Sequence, residues 1–175
     1  MTVPDLRSRL QRVSEADQAL LKHFAEGESL ATTFGRSIED IRHQAAADRL
    51  KLGEHFLRIG KRVSNTPNRD WRSVIGRYYY AMYHSMRAVA FYTHGGDDHQ
   101  AHSKLAQKIP TDFPNRILRA NELKDARTRR NEADYDLFPK GSPHFRTNAI
   151  YLAPIAVQFV SECRAYMQQK GCQNL

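Results

Sequence analysis

The fold of this chain is decided by residues 76–91, which read GRYYYAMYHSMRAVAF. At 3.6 residues per turn, the apolar side chains in and before this stretch share one helical stripe: Trp71, Val74, Ile75, Tyr78, Met82, Met86 and Val89. A second stripe carries Arg77, Tyr80, His84, Arg87 and Phe91. Arginine binds phosphate and histidine transfers protons near neutral pH. We therefore expect a helix that packs by its apolar stripe and displays the start of a nucleic-acid or nucleotide site.

The rest of the sequence predicts an all-α fold, because it contains neither sustained β-branched alternation nor an Asn-Gly hairpin signal. An N-terminal helix should stop near Gly27, and a short helix is expected over 99–108. The long helices are expected over 38–62, 69–93, 115–134 and 142–170. Short connections favour an antiparallel up-and-down bundle of four main helices, residues 37–175, preceded by an N-terminal helical extension, residues 1–36.

The composition describes a basic globular protein of 175 residues, with 27 Lys+Arg against 19 Asp+Glu and a formal net charge of +8. This balance favours a phosphate-bearing partner, although solubility alone also explains it. We expect no membrane span and no signal peptide, because the apolar runs are too short. The two cysteines, Cys163 and Cys172, resemble ordinary thiols of a reducing compartment, which predicts a cytoplasmic protein.

A second informative stretch is Arg116–Tyr135, which reads RILRANELKDARTRRNEADY. Arg127, Arg130 and Asp134 share a helical face by three/four spacing, and Asn131 and Tyr135 lie beside them. An arginine cluster closed by an amide and a carboxylate–tyrosine pair can grip a phosphate and position a sugar hydroxyl. A solvated basic face with internal ion pairs is the alternative interpretation.

Together, GRYYYAMYHSMRAVAFY and RRNEADY resemble two core-helix motifs of small prokaryotic HEPN proteins, over about residues 38–170. The resemblance implies an antiparallel helical bundle that commonly forms a homodimer. It also implies a metal-independent ribonuclease of a toxin–antitoxin or phage-defence system. The family motif is an arginine, usually a polar residue, and a histidine four to six residues after the arginine. Arg130 and Asn131 match its first half, whereas Tyr135 occupies the histidine position at the shortest spacing.

The resemblance assigns roles to residues of both stretches. Arg130 would hold the scissile phosphate, Asn131 would orient neighbouring groups, and Tyr135 or His84 would handle the proton. A tyrosine of ordinary pKa is a poor base at neutral pH, so His84 is considered as the proton carrier, facing Arg130 across the bundle. His84 as a buried, hydrogen-bonded imidazole is the alternative. The predicted substrate-binding residues are Arg77, Tyr80, Arg87, Arg127 and Asp134.

Three functions remain open from the sequence. The first is an RNA-binding protein, with or without ribonuclease activity, that has a cognate antitoxin as its partner. The second is a non-catalytic HEPN module that binds a nucleotide or a protein and is partnered by a nucleotidyltransferase, with Tyr135 as a modified group. The third is a structural dimer or adaptor whose basic surface carries no function.

A metal site is a weaker interpretation of the sequence. His94, Asp97, Asp98, His99 and His102 cluster along the chain, and His99 and His102 are spaced i, i+3. No further ligand set accompanies them, and loop histidines are commonly solvated. We therefore predict no metal and no cofactor.

Overall fold

The computed structural model describes residues 8, 11, 13–98, 101–137 and 140–175. The described residues form five α-helices and one short 3-10 helix, with no strand among them, which confirms the predicted all-α fold. The α-helices are α1 (Gln18–Phe34), α2 (Ile38–Ser64), α3 (Trp71–His94), α4 (Arg116–Tyr135) and α5 (Ser142–Gln169). None of them has both the length and the apolarity needed to cross a membrane.

The chain separates into two compact units, which divide between Ile41 and Arg42. The predicted division after residue 36 lies before α2 and stays a prediction. In the first unit, Asp17 caps α1 by accepting a hydrogen bond from the Leu20 amide. The expected helix end at Gly27 is wrong: α1 continues to Phe34, and Gly35 ends it in the left-handed conformation that glycine adopts readily.

A capping box opens α2. The Asp40 amide donates to the Ser37 hydroxyl at 3.1 Å, and the Ser37 amide donates to the Asp40 carboxylate at 3.1 Å. These reciprocal bonds satisfy two amides that lack partners within the helix. A single side chain caps α3 instead, where Asp70 accepts from the Arg72 amide at 3.1 Å.

The second unit is an antiparallel bundle built around α3. A Cβ added to Gly53 of α2 would lie 2.9 Å from the Ser85 amide nitrogen, and one added to Gly60 would lie against the Tyr78 ring. The earlier glycine thus meets the later α3 residue, which makes α2 and α3 antiparallel and brings their backbones close. The glycines permit this approach because they have no side chain to separate the helices.

Side-chain contacts, two ion pairs and a hydrogen bond, show the directions of the remaining helices. Arg119, near the start of α4, meets Glu162 near the end of α5, and Arg129 donates to Asn148 near the start of α5. Arg164 of α5 pairs with Glu54 of α2, Nε to Oε1 2.6 Å. The fold is therefore the predicted up-and-down bundle, in which consecutive helices run in opposite directions, and α3 packs in parallel on α5, with Arg72 over Phe145 and Tyr92 donating to the Lys170 carbonyl.

The connection between α3 and α4 differs from its prediction. Only Leu105–Gln107 is helical there, as a 3-10 turn, and residues 99 and 100 of the expected helix lie outside the described residues. Leu105, Ile109 and Phe113 are buried in the core. Pro110 lies between them and disfavours a continuous α-helix, so the burial of these side chains holds the segment against the bundle as a loop.

Candidate functional site

Both stripes predicted for α3 are present. The apolar stripe is buried at Val74, Ile75, Tyr78, Met82, Met86 and Val89. The polar stripe is half-buried along its length. Its central residue, Tyr80, lies between Phe56 of α2, at 5.5 Å between ring centroids, and Arg130 of α4. The polar stripe therefore faces the gap between α2 and α4.

Arg130 is the centre of a cluster that joins α3 to the C-terminal half of α4. Its guanidinium donates to the Tyr80 hydroxyl and to the Asn131 side-chain oxygen, the latter at 3.2 Å. Its Nε lies 2.8 Å from a carboxylate oxygen of Asp134 one turn later. Only 15% of its side chain is exposed. The structure thus brings together four of the predicted residues, Tyr80, Arg130, Asn131 and Asp134.

Tyr135 covers this cluster from the outside. Its ring centroid lies 4.9 Å from Cζ of Arg130, a distance at which a cation is attracted to an aromatic face. Tyr135 itself is 66% exposed. The residue that stands in the histidine position of the family motif is therefore an accessible phenol in contact with the motif arginine.

His84 sits one turn along α3 in an aromatic environment. Its ring stacks on Phe56 with centroids 5.3 Å apart and planes within 6°. Tyr80 is a common neighbour of His84 and Arg130, with its ring 6.1 Å from the imidazole. Burial lowers the pKa of His84 to about 4, and repulsion from Arg87 and from the protonated form of His102 acts in the same direction. His84 is thus neutral at pH 7.

The other two arginines of the polar stripe are held by α2 and by the loop after α3. Arg77 places Cζ 5.7 Å from the centroid of the Phe56 ring. Arg87 donates to Asp97, with Nε to Oδ1 at 2.8 Å, and Asp97 also pairs with Arg49 of α2 at 3.2 Å. The hydrogen bond from Arg87 holds the pKa of Asp97 below its usual value, against the opposing effect of burial. Arg87 is therefore already paired with a carboxylate.

His102, in the loop between α3 and α4, packs on Tyr79 and Tyr83 of α3, next to the Arg130 cluster. Its Nδ1 shares a hydrogen bond with the Tyr79 hydroxyl, and its ring stacks on Tyr83 at 4.1 Å between centroids. Burial lowers the pKa of His102, and the charges of Arg130 and Arg127 lower it further. Because Tyr79 occupies Nδ1, Nε2 is the ring nitrogen that a ligand would meet.

A surface pocket of about 230 Å³ opens between this loop and α4. Its walls include His102, Lys124, Arg127, Thr128 and Asn131. The four α4 residues form two pairs spaced i, i+4, Lys124 with Thr128 and Arg127 with Asn131, so they share one face of the helix. The pocket thus combines an imidazole, two cations, a hydroxyl and an amide, which are groups that bind and polarise a phosphate ester.

Sequence reasoning gave His102 a different interpretation, as a weak metal candidate paired with His99. Its position beside Arg127 depends on how the loop folds back onto Tyr79 and Tyr83, and local spacing carries no signal for such a contact. The three consecutive tyrosines could have suggested it, since only some of them fit the apolar stripe. Tyr79 is fully buried, and its hydroxyl needs a partner.

The histidine and aspartate cluster predicted as a weak metal candidate is dispersed. His94 contacts the Lys108 carbonyl oxygen at 2.9 Å, and Asp97 is paired with arginines. His99 lies outside the described residues. Within the part of the chain that the structure describes, no three histidine, cysteine, aspartate or glutamate side chains are grouped as metal ligands.

No protein-family model, no curated protein and no solved structure matches this chain.

Proposed function

We propose that this protein binds RNA at the pocket between the 101–107 loop and α4, and that it cleaves the strand there without a metal ion. The observation that carries the proposal is the meeting of His102, Arg127 and Asn131 around one open pocket, beside Arg130. A histidine from the loop would supply what the family motif expects after the arginine. The resemblance to HEPN proteins supports the same function.

In the proposed reaction, His102 Nε2 accepts the proton of a ribose 2′-hydroxyl. The 2′-oxygen attacks the adjacent phosphorus, the bond to the 5′-oxygen breaks, and that oxygen takes a proton from solvent. The products are a 2′,3′-cyclic phosphate and a 5′-hydroxyl, and the imidazolium then returns its proton to water. His102 suits this role because its lowered pKa keeps it neutral at pH 7. His84, with a pKa of about 4, is a weaker acceptor.

Arg127 and Arg130 have different electrostatic roles in this proposal. Arg127 lines the pocket and would contact the phosphate oxygens as negative charge develops on them. Arg130 is enclosed by Tyr80, Asp134 and Tyr135, so it contributes its charge from behind the pocket and fixes the neighbouring Asn131. The toxin or defence setting, the cognate antitoxin, the homodimer and the cytoplasmic location belong to the same proposal.

The test incubates purified full-length protein with a labelled single-stranded RNA, with and without a chelator, and identifies the product ends. We expect chelator-resistant cleavage that leaves 2′,3′-cyclic phosphate ends. Arg127→Ala, Arg130→Ala and His102→Gln should each reduce cleavage at least tenfold, with the fold checked by circular dichroism. Arg58→Ala removes an exposed arginine of α2 and serves as the charge-matched control. Full activity in all three variants would refute the proposed site.

Binding without cleavage is tested by RNA affinity at two salt concentrations. A phosphate-binding surface loses affinity steeply between 50 and 200 mM salt, about tenfold or more for several contacts. Equally weak RNA binding at both salt concentrations, together with no cleavage, would favour the structural adaptor as the interpretation.

The exposure of Tyr135 favours a second candidate, modification of this phenol by a partner nucleotidyltransferase. In that reaction the phenol oxygen attacks the α-phosphorus of a nucleoside triphosphate, pyrophosphate leaves, and the phenol proton passes to solvent. Co-expression with a candidate transferase, followed by mass spectrometry of the Tyr135 peptide, tests it. Tyr135→Phe is the control, and an unmodified Tyr135 in the active pair would exclude this role.

A further inference from the structure

A basic groove lies where the N-terminal ends of α3 and α5 meet the loop before α3. Three adjoining depressions, of about 570, 200 and 260 Å³, all include Arg69 and Trp71 in their walls. Arg146 of α5 lines two of the three. We call this surface the Trp71 groove and define it by Asn68, Arg69, Trp71, Arg146 and Ile150. It shares none of these residues with the pocket of His102 and Arg127.

The groove combines an aromatic ring with cations. Trp71 is half-buried against the core, and the Cζ of Arg69 lies 5.4 Å from the centroid of its ring. Arg69 Nε donates to the Thr66 carbonyl at 3.0 Å, which keeps the guanidinium over the indole. Arg146 is exposed beside them. A planar guanidinium on an indole offers a stacking surface for a nucleobase, and a second arginine offers a contact for its phosphate.

The carboxylate of Asp70, the acidic residue beside the groove, is already hydrogen-bonded at the start of α3. Asp70 caps α3 by accepting from the Arg72 amide and from the Ser73 hydroxyl. Because these hydrogen bonds hold the carboxylate at the N-terminal end of α3, the positive charges of Arg69 and Arg146 dominate the groove. Val74, Ala149 and Ala153 supply an apolar floor to one of the depressions. A ligand with an aromatic base and a negative charge matches this combination.

The groove is also connected to the helix that carries the pocket of His102. Arg72 Nε donates to the Ala133 carbonyl, which ties the start of α3 to the part of α4 that carries Arg130. Trp71 and Tyr80 are separated by about 14 Å along α3 and by about half a turn around it, so they lie on different faces of this helix. A single strand that occupies the pocket would therefore have to pass around α3 to reach the indole.

We propose that the Trp71 groove binds one nucleotide of a single-stranded RNA, with its base on the Arg69–Trp71 stack and its phosphate against Arg146. The identity of the ligand as RNA rests on the proposed function. The chemistry of the groove by itself specifies a phosphorylated base, which a free nucleotide also provides. The groove would increase affinity and set the path of the strand, and it would take no part in bond cleavage.

The test uses the intrinsic fluorescence of the protein, because Trp71 is the single tryptophan of the chain. A base that stacks at the groove should quench its emission. We would titrate the full chain with an eight-nucleotide single-stranded oligoadenylate, with AMP and with a blunt RNA duplex at one salt concentration. We expect saturable quenching by the oligomer, with at least tenfold weaker apparent affinity for AMP and for the duplex.

Variants assign the signal to the groove. Arg69→Ala combined with Arg146→Ala should weaken the oligomer titration at least tenfold, whereas Arg58→Ala should leave it unchanged. Both substituted arginines are exposed, and circular dichroism checks the fold. No quenching, or equal quenching in the double variant, would overturn the proposal. Equal affinity for AMP and the oligomer would also overturn it, by assigning the groove to a free nucleotide.

The outcome is separable from that of the proposed cleavage. Quenching that persists in a protein without ribonuclease activity would support the groove and count against the catalytic proposal. Cleavage that the double variant retains at unchanged substrate affinity would support the pocket and overturn the groove.

Discussion

Arg130 of α4 donates a hydrogen bond to the hydroxyl of Tyr80 of α3, and this bond joins the two stretches of sequence that define the candidate site. The same guanidinium lies 2.8 Å from Asp134 and faces the ring of Tyr135. Its charge is therefore compensated on one side by a carboxylate and shielded on another by a phenol. An arginine held in this way loses little conformational freedom when a phosphate approaches.

The Tyr80 hydroxyl should contribute measurably to stability. In Tyr80→Phe, the half-buried guanidinium loses one acceptor, and we expect the free energy of unfolding to fall by about 1–2 kcal/mol. Urea denaturation followed by circular dichroism measures this. Tyr151→Phe is the matched control, because Tyr151 is half-exposed and contacts Arg129 through its ring face. Equal losses in both variants would contradict a specific role for the Tyr80–Arg130 bond.

His84 should make stability depend on pH. Its folded pKa is about 4, below the unfolded value near 6.5, so the unfolded chain binds an extra proton within this window. Stability should therefore fall as the pH drops from 6.5 towards 4, by up to about 1.4 kcal/mol per pH unit from this residue. His84→Phe should flatten the dependence, as urea midpoints at pH 7.5 and 5 would reveal. The same slope in variant and wild type would exclude His84 as its source.

Gly53 should not tolerate a side chain. An added methyl group would lie 2.9 Å from the Ser85 amide nitrogen and 3.0 Å from the Ala81 carbonyl oxygen, and backbone atoms cannot move aside cheaply. We expect Gly53→Ala to destabilise the bundle by about 2 kcal/mol. Gly27→Ala is the control within a helix, since its methyl group would lie at an ordinary 3.5 Å from Ile38, its one close neighbour among the described residues. That substitution should be neutral or stabilising, and thermal melts compare the two.

The buried Arg119 should depend on both of its carboxylate partners. It is 2% exposed and pairs with Glu122 and Glu162. Glu162→Gln leaves the arginine short of compensating charge, so we expect a loss of as much as about 3 kcal/mol. Combining Arg119→Met with Glu162→Leu removes the buried arginine charge and should recover part of the lost stability. A double variant less stable than Glu162→Gln would contradict this account of the cluster.

The thiols should be unreactive in the folded protein. Cys163 is fully buried, and burial raises the pKa of its thiol well above the ordinary value. Burial also raises the pKa of Cys172, which is 8% exposed. Because the thiolate is the reactive form, a thiol reagent at pH 8 should label both residues slowly until urea unfolds the chain. Rapid labelling of native Cys163 would show that the core around it opens readily.

Periodicity predicted the helices and their faces well, and it predicted little about side chains contributed by loops. The stripe of Arg77, Tyr80 and His84 follows from the helical repeat, and the structure shows it between α2 and α4. The role of Asp97 as partner of Arg87, and the stacking of His102 on Tyr83, depend on loop conformations. Gly27 predicts a helix end because glycine favours such ends, but the flanking residues sustain α1 through it.

Helix α4 is fastened to α5 at two levels, by Arg119 near its start and by Arg129 near its end. A helix that is held by two separated contacts cannot rotate freely about its own axis. The face that carries Arg127 and Asn131 is turned away from Arg129, and it must then keep a constant orientation towards the 101–107 loop. Substitutions in the contacts between α4 and α5 should therefore act on the pocket by rotating α4. Such a rotation reorients Arg127 without changing the charge of the pocket.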